Sequence, residues 1–297
     1  MVARLLIIVL VIVFAIKGVF NNRSDNTNLS SKKEAYKPQQ TVISGIDISD
    51  ERYEQESNIV NDFIDNINNG KISEAYDLLS NECKEKLYPS LERFKTYYCD
   101  KYFNVKRTYN LQSWVNKGNK VTYKMRISED LMTTGEYNSD GIYEDYVTIV
   151  EENGNKKLNI NGYIGKKEIN RTTEQEEIKA EVICVDIFND YEEYTLKVTN
   201  NTANAIMLDS MIKPYHTLLL EKSDGNYDRI DINKLKYLDM LLYSNEERTI
   251  ILKFNKQYTG SSEPLNICFT NIVKNYYEFK NNQDTYQDYA SIKVNVR

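Results

Sequence analysis

The chain has 297 residues, a formal net charge of −6, 41% hydrophobic and 28% charged residues, with Gly 11 and Pro 4. That composition supports ordinary globular cores and excludes a low-complexity or collagen-like chain. No segment is basic enough for a nucleic-acid footprint, and residues 172–297 carry fourteen basic against twenty acidic side chains.

The apolar run Leu5 to Ile16 lies between Arg4 and Lys17. With Gly18, Val19 and Phe20 it reaches about 16 residues, ~24 Å at ~1.5 Å per residue, so residues 1–20 predict a signal anchor whose basic flanks snorkel. A small-x-small cleavage signature is missing, which disfavours a secreted, cleaved form. The predicted location is a single-pass membrane protein with a cytoplasmic N-terminus and the bulk outside the cytoplasm. Residues 21–50 begin polar and without periodicity and read as a tether.

Ile59, Val60, Phe63, Ile64 and Ile67 recur at helical spacing until Gly70. Ile72, Ala75, Tyr76, Leu79 and Cys83 give a second stripe with Ser73 as its cap, and Leu91, Phe94, Tyr98 and Tyr102 a third after Pro89. The period then changes: Val121, Tyr123, Met125 and Ile127 alternate with polar neighbours, and turn signals at Gly118, Asp140-Gly141 and Gly154 separate about four antiparallel strands. From Glu177 onward "YTLKVTN", "HTLLLEK", "RTIILKF", "LNICFTNI" and "ASIKVNV" read as the strands of a sandwich, with a short helix between Asp231 and Tyr243. The predicted class is α+β: a membrane helix, a first domain over residues 51–171 and an all-β domain over residues 172–297.

The corner "FIDNINNGKISEAYDLLSNECKE" and the helix-then-strand order resemble the nuclear transport factor 2-like superfamily over roughly Glu54 to Arg171. That resemblance implies a cone of three helices on a curved sheet. "YTLKVTNNTANAIMLD", "SNEERTIILKF" and "LNICFTNI" resemble telokin-like, immunoglobulin-like domains of Gram-positive extracytoplasmic proteins, which implies a surface location and no chemistry. Enzymes of the first superfamily need an acid or base in the mouth of the cone. Asp145, alternating with Tyr143 and Val147, is the one candidate base; its place near a turn predicts instead a solvated, ordinarily ionised carboxylate. Trp114, Tyr123 and Tyr146 are candidate lining residues of the same pocket, against the plainer reading that Trp114 and Tyr146 fill a core.

His216 is the sole histidine, and no phosphate loop, zinc-protease helix or C-x-x-C motif is present. Cys83 and Cys99, and Cys184 and Cys268, divide two and two between the domains; they permit two disulfides or four buried thiols. No metal or cofactor is expected. The sequence favours a non-catalytic, membrane-anchored scaffold of the bacterial cell envelope. It docks other envelope proteins, pairs with a second copy through the cone sheet, or, alternatively, binds a small molecule or wall fragment in the cone. An isomerase- or cyclase-like enzyme using Asp145 is the weaker alternative.

Overall fold

Ser49 opens the first helix. Its side chain accepts a hydrogen bond from Arg52 N at 3.3 Å, and Asp50 and Glu51 occupy the first turn, where the helix dipole favours acids. Helix α1 (Asp50–Asn68) buries Val60, Phe63, Ile64 and Ile67 along one face, and Gly70 turns the chain at φ +74°. The computed structural model describes residues 41, 48–130, 141–211, 217–230, 235–260 and 262–297. They belong to one compact unit, Pro38–Arg297.

The second predicted helix is two helices, α2 (Ile72–Asp77) and α3 (Asn81–Leu87). Between them the chain leaves the helix to join the edge of a sheet: Leu158 N donates to Leu78 O at 2.9 Å, and Ser80 N donates to Leu158 O at 3.0 Å. Ser80, not Ser73, is the working cap, accepting from Cys83 N at 3.0 Å. The third predicted helix is also interrupted. Ser90 caps α4 (Leu91–Phe94), which widens into a π turn (Lys95–Cys99) before α5 (Asp100–Tyr102).

Four antiparallel strands follow in the order β1-β2-β3-β4: β1 (Arg107–Lys117), β2 (Lys120–Glu129), β3 (Tyr143–Glu152) and β4 (Asn155–Asn159). Val121, Tyr123, Met125, Ile127, Val147 and Ile149 point to the helices and complete the first core. The free edge of β1 is partly closed by Asn68, whose amide accepts from Arg107 N at 3.0 Å and donates to Arg107 O at 2.8 Å.

The rest is a two-sheet sandwich. One sheet has the order β12-β7-β6-β5, from β5 (Tyr163–Gln175), β6 (Ile178–Phe188), β7 (Tyr191–Asn200) and β12 (Glu246–Asn255). The other has the order β10-β9-β13-β8-β11, with β14 paired to β13. Its strands are β8 (Ile206–Met207), β9 (Leu218–Lys222), β10 (Tyr227–Arg229), β11 (Leu241–Leu242), β13 (Pro264–Val273) and β14 (Tyr289–Asn295). Two short helices, α6 (Tyr237–Met240) and α7 (Tyr276–Asn281), lie between strands. Val182, Leu196 and Val198 of the first sheet share a second core with Leu220, Phe269 and Ile292 of the other.

The boundary expected at residue 171 falls inside β5. Tyr163 and Phe188, register partners on β5 and β6 with ring centroids 5.2 Å apart, belong to the first core. Ile178, Ala180 and Val182, farther along the same hairpin, belong to the second. A bulge between Val182 and Cys184 shifts the pairing phase of β6 between these two stretches.

Two expectations are corrected. Strand residues make up 48% of the described chain and helical residues 24%, so the class is mainly β and no cone of three full helices forms. Short-range caps and the sheet-edge segment 78–80 break the stripes that the apolar periodicity runs together. Among the described residues no helix is long and apolar enough to cross a membrane. Residues 1–20, where the sequence predicts such a helix, lie outside the described residues, as do residues 21–40 of the tether and His216.

Asn200, fully buried, fastens one end of the sandwich. Its Nδ2 donates to Asn204 O at 2.8 Å and Tyr243 O at 3.0 Å, and its Oδ1 accepts from Thr202 N at 3.0 Å. Asn200→Ala removes the amide from these part-buried groups and from the buried Leu242 O, 3.3 Å from Nδ2, so chemical denaturation is expected to show a loss of about 2 kcal/mol. A change under ~0.5 kcal/mol would mean that water replaces the amide at no cost.

Candidate functional site

The candidate base is sealed inside the first core. Asp145 is 8% exposed, on the inner face of β3. Its Oδ2 accepts from Tyr98 Oη at 2.8 Å and its Oδ1 from Gly162 N at 3.2 Å. The π turn delivers Tyr98: the widened backbone places that ring, fully buried, against Phe94 at 5.7 Å in a stacked arrangement. Burial pushes the Asp145 carboxyl up to about 6, against hydrogen bonds from Tyr98 and from the backbone of Asn161, Tyr146 and Gly162 that lower it. Burial, then the nearby Asp145, raises the Tyr98 phenol well above its ordinary range.

The expectation of a wet, ordinary Asp145 is therefore corrected. Sequence alternation placed the residue on the right face, but its nearness to a turn in sequence hid the cover supplied from Tyr98 and Gly162. An abnormal carboxyl of this kind suits proton transfer only if substrate reaches it within hydrogen-bond distance. Here both oxygens are engaged by groups of the protein itself.

Tyr123 is also on the inner face and fully buried, with its hydroxyl donating to Glu56 Oε2 at 2.6 Å. Glu56, 1% exposed on α1, takes Arg52 Nε at 2.8 Å and Lys156 Nζ at 3.3 Å on its other oxygen. This carboxylate was missed from sequence. The signal was present as the i, i+4 pair of Arg52 and Glu56, which reads as a surface pair until the strand carrying Tyr123 closes over it.

Trp114 and Tyr146 lie on the opposite face of the sheet. Trp114 is the extra residue of a bulge between Ser113 and Val115, and the bulge turns its ring toward Tyr146, 5.5 Å away, with Lys124 Nζ 5.7 Å over the indole. Lys124 and Tyr146 are register partners and alternate with the inward-facing Tyr123 and Asp145. The four residues predicted to line one pocket are thus divided between two faces of one sheet. Trp114 Nε1 is buried and finds no partner among the described residues, so its polar handle is not offered to solvent.

The chain matches no family model, no curated protein and no solved structure.

All four cysteines are buried free thiols. Burial pushes Cys83 and Cys99 up to about 12 and Cys268 to about 11, which keeps them protonated and poor nucleophiles at neutral pH. Among the described residues no group of three or more His, Cys, Asp or Glu side chains is arranged to hold a metal ion.

A further concentration of charge lies between the two cores. Lys86 Nζ on α3 meets Asp186 Oδ2 at 2.7 Å and Glu193 Oε2 at 2.8 Å on the sandwich, and Tyr163 Oη donates to Asp186 Oδ1 at 3.0 Å. Burial lowers the affinity of Lys86 for its proton, but hydrogen bonds to Asp186 and Glu193 outweigh it and raise the pKa. The cluster can clasp two modules together; it presents no nucleophile and no free acid.

Proposed function

We propose that this chain is a non-catalytic docking or assembly protein, whose two modules act as one stiff body for other proteins. The observation that supports this most is the sealing of Asp145. The group best suited to acid–base work is closed off by Tyr98 and Gly162, and the other buried carboxylate of the first core, Glu56, is spent on Tyr123, Arg52 and Lys156. The continuous β5–β6 hairpin and the Lys86 clasp support the stiff body, since scaffolds fix distances between the surfaces they present. The cell envelope is the setting proposed, on the resemblance of the sandwich strands to extracytoplasmic domains.

Cross-linking in the cells that make the protein, read by mass spectrometry, tests this reading. Asp145→Asn is expected to keep the same cross-linked partners as the unaltered chain. Loss of a catalysed change in a cellular metabolite on Asp145→Asn, with the fold and partners intact, would replace the scaffold by an enzyme.

A further inference from the structure

The sandwich has an open end. There residues of β5–β7 and of the ends of β13 and β14 line a groove of about 300 Å³, at the small end of the volumes that hold low-molecular-weight ligands. Its apolar lining comes from Val185 and Ile187 of β6, Pro264 of β13, and Val296 just beyond β14. The register beyond the bulge at Val182/Cys184 sets Val185 beside Tyr194 and Ile187 beside Glu192, so these four side chains of β6 and β7 share the face that lines the groove.

The polar lining is unequal in sign. Glu192 is 4% exposed, but its charge is answered inside the protein: Lys256 Nζ lies 2.6 Å from Oε1 and Tyr194 Oη donates to Oε2 at 2.7 Å. Glu263 is paired with Lys117 at 3.0 Å. Lys167 and Arg297, both exposed and both lining the groove, have no acidic ion-pair partner among the described residues. The Arg297 guanidinium is held at the groove by Nε donating to Pro264 O at 3.2 Å, and its main-chain oxygen accepts from Arg171 Nε at 3.2 Å. Two cations without an ion-pair contact, Arg297 being answered only at longer range by Glu263, thus stand over an apolar trough, on the half of the chain that carries the net negative charge.

We propose that the groove binds a small amphiphilic anion, a carboxylate on a medium-length apolar body, with the body along Val185, Ile187 and Val296 and the carboxylate between Lys167 and Arg297. A neutral molecule of the same body leaves the two cations unused. An amine of the same body meets them with like charge.

The test is titration of the full chain with octanoate, octanol and octylamine, followed by NMR of the Val185, Ile187 and Val296 methyl groups. Octanoate is expected to shift these methyls with a Kd below about 1 mM. Octanol is expected to bind about fivefold more weakly or worse, the worth of a charge-assisted contact at a wet rim, and octylamine not at all. Lys167→Gln, at an exposed position, should weaken octanoate and leave octanol unchanged; Ile187→Trp should fill the trough and abolish both. Equal affinity for octanoate and octanol, octanoate binding untouched by Lys167→Gln, or no shift of the groove methyls at millimolar octanoate would each overturn the proposal.

Discussion

Lys86→Ala is expected to cost about 2–3 kcal/mol of folding stability. Asp186 and Glu193 are register partners on β6 and β7, so their carboxylates face the same side of the sheet as direct neighbours. Like charges placed so repel, and Lys86 Nζ, 2.7 Å from one and 2.8 Å from the other, offsets that repulsion. The side chains of Asp186 and Glu193 are 10% and 23% exposed, so water makes up only part of the loss. Removing one partner of a fully buried pair costs ~3–5 kcal/mol, and the partial exposure brings the figure down. Urea unfolding checks the size. Adding Asp186→Asn and Glu193→Gln to Lys86→Ala should recover part of the loss, because the repulsion goes with the charges. A loss under ~0.5 kcal/mol, or no recovery, would reduce the clasp to an ordinary surface contact.

Asp145→Asn is expected to change how stability depends on pH. The carboxyl rises from 3.8 to about 6 on folding, chiefly through burial. The folded state therefore holds this proton up to about pH 6, while the unfolded chain releases it near 3.8. The stabilisation from proton binding is complete below the lower value and is lost as pH rises through the upper one. Relative to Asp145→Asn, the unaltered protein should lose about 3 kcal/mol between pH 3.5 and 7. The amide keeps its oxygen for Gly162 N and turns its NH2 to Tyr98 Oη, which then accepts instead of donating; the cost of that swap is the same at every pH and leaves the slope unaffected. Urea unfolding in pH steps gives both curves. Parallel curves would mean that Asp145 titrates as an exposed carboxylate.

These two residues also show where the sequence was readable. Val60, Phe63, Ile64 and Ile67 declare their helix because every apolar contact lies on one stripe, and Val121, Tyr123, Met125 and Ile127 declare their strand by alternation. Leu79 gave no warning that it leaves the helix, because its partner Leu158 is far along the chain. Trp114 broke the alternation rule at a bulge, which shifts a residue's facing without any glycine or proline to mark it. Asp145 and Glu56 were legible as residues but not as sites, since burial of a carboxylate depends on cover from Tyr98, Tyr123 and Gly162, brought from other segments. The Lys86 clasp joins residues whose proximity follows only from the course of the β5–β6 hairpin.

That hairpin has a consequence for synthesis. Phe188 completes the first core by packing on Tyr163 and stacking on Tyr191, with centroids 5.2 and 4.2 Å away. A ribosome that has released only the residues up to 171 has therefore produced a first module with its last aromatic layer missing. The nascent module must wait for β6 and the start of β7 before it closes, and by then the first strands of the sandwich are already in place. Growth from the N-terminus gives this protein no stage at which one module is finished and the other not begun.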